Sequence, residues 1–184
     1  ELYIEFAYQG GDPHNESYDF GAFAFDLGAE YTFADVETVP YIGIEIVYYT
    51  GDDSEDGDYT YGFQSPYSNW NRTIIVASDF MYNKVYSDTW SGRPNYWSLM
   101  LQGGMKSIAD DKFSIDVVLA FFQNTDDVEE DGIGWEFDIA ASYWYTEDVT
   151  FTAALGYFSP DEDGWGIEDA DGALVVIFGV NIDF

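Results

Sequence analysis

Apolar and small or polar residues alternate with a period of two in eight runs along this chain, at 1–9, 20–34, 41–50, 95–108, 113–124, 134–146, 149–158 and 173–184. Two is the side-chain period of a β-strand, so each run reads as a strand with one continuous apolar face. In the sixth run Trp135, Phe137, Ile139, Ala141, Tyr143 and Tyr145 alternate with Glu136, Asp138, Ala140 and Ser142. In the last, Leu174, Val176, Phe178, Val180, Ile182 and Phe184 share one side. The runs are longer than the ~5–6 residues of ordinary globular strands. The connections alternate too: short turns join runs two to three, four to five and six to seven, and long loops, including 51–94, join the others. The expected fold is all-β, a single-domain antiparallel up-and-down transmembrane β-barrel of about eight strands, either complete in itself or the C-terminal portion of a larger barrel.

Charge at first opposes a membrane location, because 36 acidic residues face 5 basic ones and the net charge is −31. No stretch approaches the ~20 consecutive apolar residues of a spanning helix. A barrel strand needs apolar side chains only at alternate positions, so its mean hydropathy resembles that of a soluble protein. The aromatic content of 20% then acquires a reason, since Tyr, Trp and Phe gather in girdles at the two membrane interfaces. From Trp135 to Tyr145 a strand tilted near 45° climbs roughly 23 Å, close to the ~25 Å apolar band of such barrels. With 47% hydrophobic residues, a disordered acidic chain is excluded. The absence of Cys removes disulfide frameworks and thiolate metal sites. The chain begins at Glu1 inside the first run, as expected of a mature form or a fragment. These features predict a Gram-negative-type outer-membrane location, with the lipid bilayer and lipopolysaccharide as partners. Phe184 and the terminal strand are the expected signal to the barrel-assembly machinery. The alternative fold is a soluble acidic β-sandwich that binds Ca²⁺ or sugar, whose strands also alternate.

The acids of the runs point away from the apolar face. Glu5, Asp26, Glu30, Glu45, Asp116, Glu136 and Asp138 are expected to face a lumen, where only Lys106 answers them. An eight-stranded barrel has an interior just wide enough to be filled by side chains. Clustered carboxylates in so narrow a space would each cost several kcal/mol unless protonated. Their lack of cationic partners predicts a water-filled lumen, and hence further strands or other copies beyond the eight runs. The expected function is passive passage of small cations, neutral solutes or oligosaccharides. A complete small barrel with a structural or adhesive role through its acidic outer loops is the second reading.

The run from Tyr18 to Phe33, the stretch Pro40-Tyr-Ile-Gly-Ile-Glu-Ile-Val-Tyr-Tyr-Thr-Gly-Asp-Asp53, the segment Asp56 to Phe63 and Gly156-Tyr157-Phe158 resemble the C-terminal part of alginate-export-type porins. In that family a strand ending in Tyr-x-[Ser/Thr]-Gly-Asp-Asp opens a long loop. The resemblance covers about two thirds of the chain and implies a wide outer-membrane channel, with the last eight strands present here. The chain departs from the family in its acidic inward face, since export of an acidic polysaccharide is associated with a basic lumen.

Arg72, Lys84 and Arg93 lie in the loop 51–94. Folded inward as a constriction, they would oppose the acidic wall and create a transverse field; left outside, they would be ordinary surface cations. Within this loop Thr73–Phe80 is expected to add a short strand or helix. Alternating acids precede Asp-Gly in the loops, at Asp52 and Asp56, at Asp127, Glu129 and Asp131, and at Asp161 and Asp163. Oxygen ligands at alternate positions suit loosely bound Ca²⁺; beyond that no cofactor is expected. One histidine, His14, and no Cys leave little material for catalysis, so no enzyme is expected. Nucleic acid is excluded as a partner by charge.

Overall fold

In the computed structural model, residues 1–11, 20–50, 73–76, 96–125, 132–161 and 171–183 are described. Eight strands form one antiparallel sheet in sequence order: β1 (Leu2–Gly11), β2 (Phe20–Thr32), β3 (Pro40–Tyr49), β4 (Tyr96–Ile108), β5 (Phe113–Asn124), β6 (Gly132–Trp144), β7 (Val149–Pro160) and β8 (Ala173–Ile182). Their ends fall within two residues of the alternating runs, because period two reports the pleat directly. Each strand pairs with its neighbours in sequence, as short connections favour. The pairing is interrupted twice, between Met105 and Ile108 on β4 and between Phe122 and Gln123 on β5.

Registers match like with like across the sheet. On one face Phe25, Tyr48 and Trp97 stand side by side, as do Phe121 and Trp135. Aromatic pairs such as Phe25 with Tyr48, stacked with ring centroids 5.4 Å apart, and Trp135 with Tyr157, tilted at 5.6 Å, knit this face at the end of the long loops. Tyr143, Tyr145 and Phe151 cluster at the short-turn end. The outward apolar side chains are exposed or half-buried, Phe121, Trp135, Tyr145 and Phe151 among the exposed ones and Phe25, Tyr48 and Trp97 among the half-buried. The inner face is buried instead, and it is mixed rather than wholly polar. Towards the loops Ala22, Ala24, Tyr49, Phe122 and Ile133 pack together, and below them Asp26, Glu45, Glu136 and Asp138 are buried among Val47, Met100, Ala120 and Phe158.

The sheet is single and open. A sandwich would bury its apolar faces against each other, but here the described strands form one sheet whose apolar face is bare. Among the described residues β1 and β8 do not pair, so closure into a self-contained barrel is not seen. The two edge strands are barer than the interior ones. Leu2 and Ile4 of β1 are 77% exposed and Phe178 of β8 is 81% exposed, against 37% for Phe137 in mid-sheet.

The β4–β5 turn carries Ala109, Asp110 and Asp111 at φ of 54°, 58° and 63°. A non-glycine residue there costs roughly 1–2 kcal/mol, and Asp tolerates it better than Ala. Ala109 is exposed and its side chain packs on nothing that would be lost. Ala109→Gly is therefore expected to stabilise the fold by about 0.5–1 kcal/mol after the larger unfolded-state entropy of glycine is subtracted. Denaturant unfolding in detergent micelles measures this, and an unchanged or lowered midpoint would show that the turn is not strained.

Candidate functional site

Because side chains of paired residues on one face stand in rows across the sheet, the inward carboxylates fall at defined heights. Glu45, Met100, Ala120, Glu136 and Phe158 form one row, and Asp138 and Gly156 belong to the next, nearer the short turns. Of the seven acids expected to face a lumen, Asp26, Glu45, Glu136 and Asp138 are buried on the inner face, with Glu136 at 0% exposure. Glu30 and Asp116 are half-buried. Glu5 is exposed, since β1 is an edge strand.

At the short-turn end a polar network crosses four strands. Lys106 on β4 donates to Glu30 Oε1 on β2 at 2.5 Å and to Thr32 Oγ1 at 3.3 Å, and Thr32 Oγ1 donates to Glu30 Oε1 at 2.9 Å. Its ammonium also lies 4.7 Å from the centre of the Tyr41 ring. The Tyr41 hydroxyl on β3 in turn donates to Asp116 Oδ1 on β5 at 2.7 Å. This last bond spans β4, and it does so over Gly104. A Cβ on Gly104 would stand 2.9 Å from the Tyr41 ring and 2.1 Å from Ile115 O, so no larger residue fits beneath the tyrosine. Lys106 thus answers one carboxylate, and a neutral phenol answers another.

Glu136 and Asp138 are answered by backbone. The Ile74 N–H donates to Asp138 Oδ2 at 2.8 Å, the Ile75 N–H to Glu136 Oε1 at 2.5 Å, and the Val76 N–H to Glu136 Oε2 at 2.8 Å. Three successive amides converging on carboxyl oxygens form the kind of nest that otherwise binds free anions. Here the acceptors belong to the wall and the nest is a loop. Apolar packing reinforces the dock: Ile75 is buried within the cluster that includes Ile133 and Phe158, and Thr73 is buried as well. Gly156, opposite Asp138 in the register, supplies the notch for Ile74. A Cβ at Gly156 would lie 3.0 Å from Ile74 Cβ and 2.7 Å from Asp138 Oδ1.

This arrangement amends two expectations. Thr73–Val76 is a turn, neither strand nor helix, because its amides point at side chains instead of at a ladder or a preceding turn; residues 77–80 lie outside the described residues. The deficit of cations on the inner face does not leave every carboxylate to water, because amide hydrogens from sixty residues away in sequence serve Glu136. Gly156 and the Ile74–Val76 amides were not legible as site residues, although a glycine facing inward beside an acid is the signal that marks the notch. Arg72, Lys84 and Arg93 lie outside the described residues, as do His14, Phe184 and the Ca²⁺ candidates Asp52, Asp56, Asp127, Glu129, Asp131 and Asp163. Asp161 is described, exposed just past the end of β7, where its N–H donates to Ile133 O at 3.0 Å. Among the described residues no group of three acids or histidines gathers around a common point.

Comparison with known proteins gave no family model matching the chain and no match among curated proteins.

Hydrogen bonds to charged groups contribute about 1.5–3 kcal/mol each, so loss of one of the Glu136 bonds is worth between about tenfold and a hundredfold in local opening. Glu136→Gln keeps the shape but turns an amide hydrogen towards one of the two donors. Hydrogen exchange at Ile75 and Val76 is expected to accelerate by that factor, with the strands unchanged. Gly156→Val is expected to release the whole segment by occupying the space of Ile74. Unaltered exchange in both variants would show that the dock is held by something else.

Proposed function

We propose that this chain forms part of the wall of an outer-membrane channel that passes small cations, neutral solutes or oligosaccharides. The observation that carries the reading is the inversion of burial: the long apolar faces are largely bare, and four of the strand acids, Asp26, Glu45, Glu136 and Asp138, are buried. In water this leaves a large contiguous apolar surface, far beyond the few hundred Å² that soluble monomers expose. Against lipid it is the ordinary state of a barrel wall, whose aromatics gather towards the two interfaces. Strands of ten to thirteen residues supply enough length to cross.

A bilayer would also act on the edges. Unpaired backbone groups in hydrocarbon cost several kcal/mol each, so β1 and β8 must be paired there. Further strands or another copy of the chain, added between these edges, would close the sheet into a barrel wider than eight strands. The terminal strand, with Phe184, would be the handle for assembly, and lipopolysaccharide would adjoin the long-loop end. The segment Thr73–Val76, docked on Glu136 and Asp138, would then narrow the path from one side. The described part of the loop meets the acidic wall through its amides, and Arg72, Lys84 and Arg93, which would add a transverse field, lie outside the described residues.

An acidic wall raises the local concentration of cations over anions. Planar-bilayer recordings of the refolded protein are expected to show cation selectivity, and the double change Asp26→Asn with Glu45→Gln should lower the cation-to-anion permeability ratio by about twofold or more. Anion selectivity, or a ratio indifferent to that change, would contradict the reading.

A further inference from the structure

Among the described residues a hollow on the outer face of the sheet mixes aromatic and polar groups, and it lies at the irregularity between β5 and β6. Phe121 pairs with Trp135 and Phe122 with Gly134, but the next residue, Gln123, pairs with Gly132. Ile133 is therefore an extra residue, and it turns inward to a buried position. Bulges of this kind re-aim side chains and are frequent beside functional sites. Gly134 takes φ of 138°, and a Cβ there would be 2.3 Å from Ser159 O. Only glycine fits. At Gly132 a Cβ would be 2.5 Å from Asp161 Oδ2, so the carboxylate lies over bare backbone. In the outward row Tyr48, Trp97, Gln123, Gly132, the last place carries no side chain.

The result is an open hollow of about 620 Å³ at the long-loop end of the outer face. That is within the ~300–1,000 Å³ of small-molecule sites. Trp97, Phe121 and Trp135 line it together with Gln123, Ser159 and Asp161, and the register sets Gln123 beside Trp97 and Ser159 beside Trp135. Trp135 is held by Tyr157, with the two rings tilted at 58°. Aromatic faces offer flat apolar contact, while the amide, hydroxyl and carboxylate offer both donors and acceptors. Among the described residues that line it there is an acid, Asp161, and no cation, so nothing there would attract a phosphate or carboxylate ligand. A quaternary ammonium would suit the aromatic rings and Asp161 but has no hydrogen-bonding group for Gln123 or Ser159. A sugar ring, apolar on its face and hydroxylated at its edge, uses both kinds of group.

We propose that this hollow is a binding site for a neutral pyranose, with Trp135 and Trp97 as the stacking wall and Gln123, Ser159 and Asp161 as the hydroxyl-reading rim. The site lies on the outer face and does not depend on transport through the inner one. The sugar can come free in solution or as the headgroup of a glycolipid, and the same contacts would hold either.

The full chain, folded in a sugar-free detergent, would be titrated with maltohexaose by saturation-transfer NMR, and in parallel placed in nanodiscs with and without digalactosyldiacylglycerol. Saturable binding is expected, weakened at least fivefold by Gln123→Ala and by Trp135→Leu and unchanged by Trp144→Phe, which alters an exposed aromatic at the opposite, short-turn end of β6. Gln123 is an exposed side chain, so its variant keeps the test valid if Trp135→Leu fails to fold. Glucose 6-phosphate should bind more weakly than glucose. Competition of maltohexaose by the glycolipid discs would assign the headgroup as the source, and its absence would assign free sugar. No saturable binding of either form, binding indifferent to both variants, or tighter binding of the phosphate would overturn the proposal.

Discussion

Eight strands hydrogen-bonded in a single sheet leave each apolar face with no second layer to pack against among the described residues. Hydrophobic burial is the dominant favourable term in folding, and here it is satisfied on the inner face only in part, by Val47, Met100, Ala120, Phe122 and Phe158. Everything else about the chain is shaped by that imbalance. Strands long enough to cross a hydrocarbon layer, aromatics gathered at their ends and acids kept off the outer face are consistent answers to an apolar surrounding.

The inner face then faces the opposite difficulty. Carboxylates taken from water must be given donors, and the chain has few cations to offer. Two solutions appear side by side. Near the short turns, Lys106 and the Tyr41 hydroxyl reach Glu30 and Asp116, with Gly104 clearing the way for the tyrosine. Further up, the amides of Ile74, Ile75 and Val76 serve Asp138 and Glu136, with Gly156 clearing the way for Ile74. In both places a glycine on the wall makes room for the group that satisfies the acid. The wall and the loop segment are therefore one unit energetically, and weakening the carboxylates is expected to loosen the loop before it disturbs the sheet.

How much of this was legible in the sequence follows from the range of the interactions involved. Alternation is a local property, so the eight strands, their directions and the side on which Glu136 or Phe137 would lie could be read from neighbouring residues. The β5–β6 bulge could not, because Gly132, Ile133 and Gly134 look like the opening of an ordinary strand until the partner's register is known. The docking of Thr73–Val76 was also invisible, since backbone amides carry no residue-type signature and their acceptors lie some sixty residues away. The cations Arg72, Lys84 and Arg93 drew the expectation of a charge-based constriction, whereas the adjoining described residues use amides and isoleucines. Whether a sheet closes depends on the pairing of its edges, which alternation within a strand does not encode.

The central claim is that the bare face of the sheet meets lipid and the acidic face does not. The chain has no cysteine, so single cysteines can be introduced along β6 without background. Spin labels at Phe137, Ile139, Ala141 and Tyr143, and at Ala140 and Ser142 between them, would be compared in bilayers for collision with oxygen, which partitions into lipid, and with a water-soluble nickel chelate. The account predicts a period of two, with oxygen contact high at the odd positions and low at the even ones across the span of the strand. Equal access of the chelate to both sets, or a protein that remains monomeric in water with every position contacted by the chelate, would contradict it.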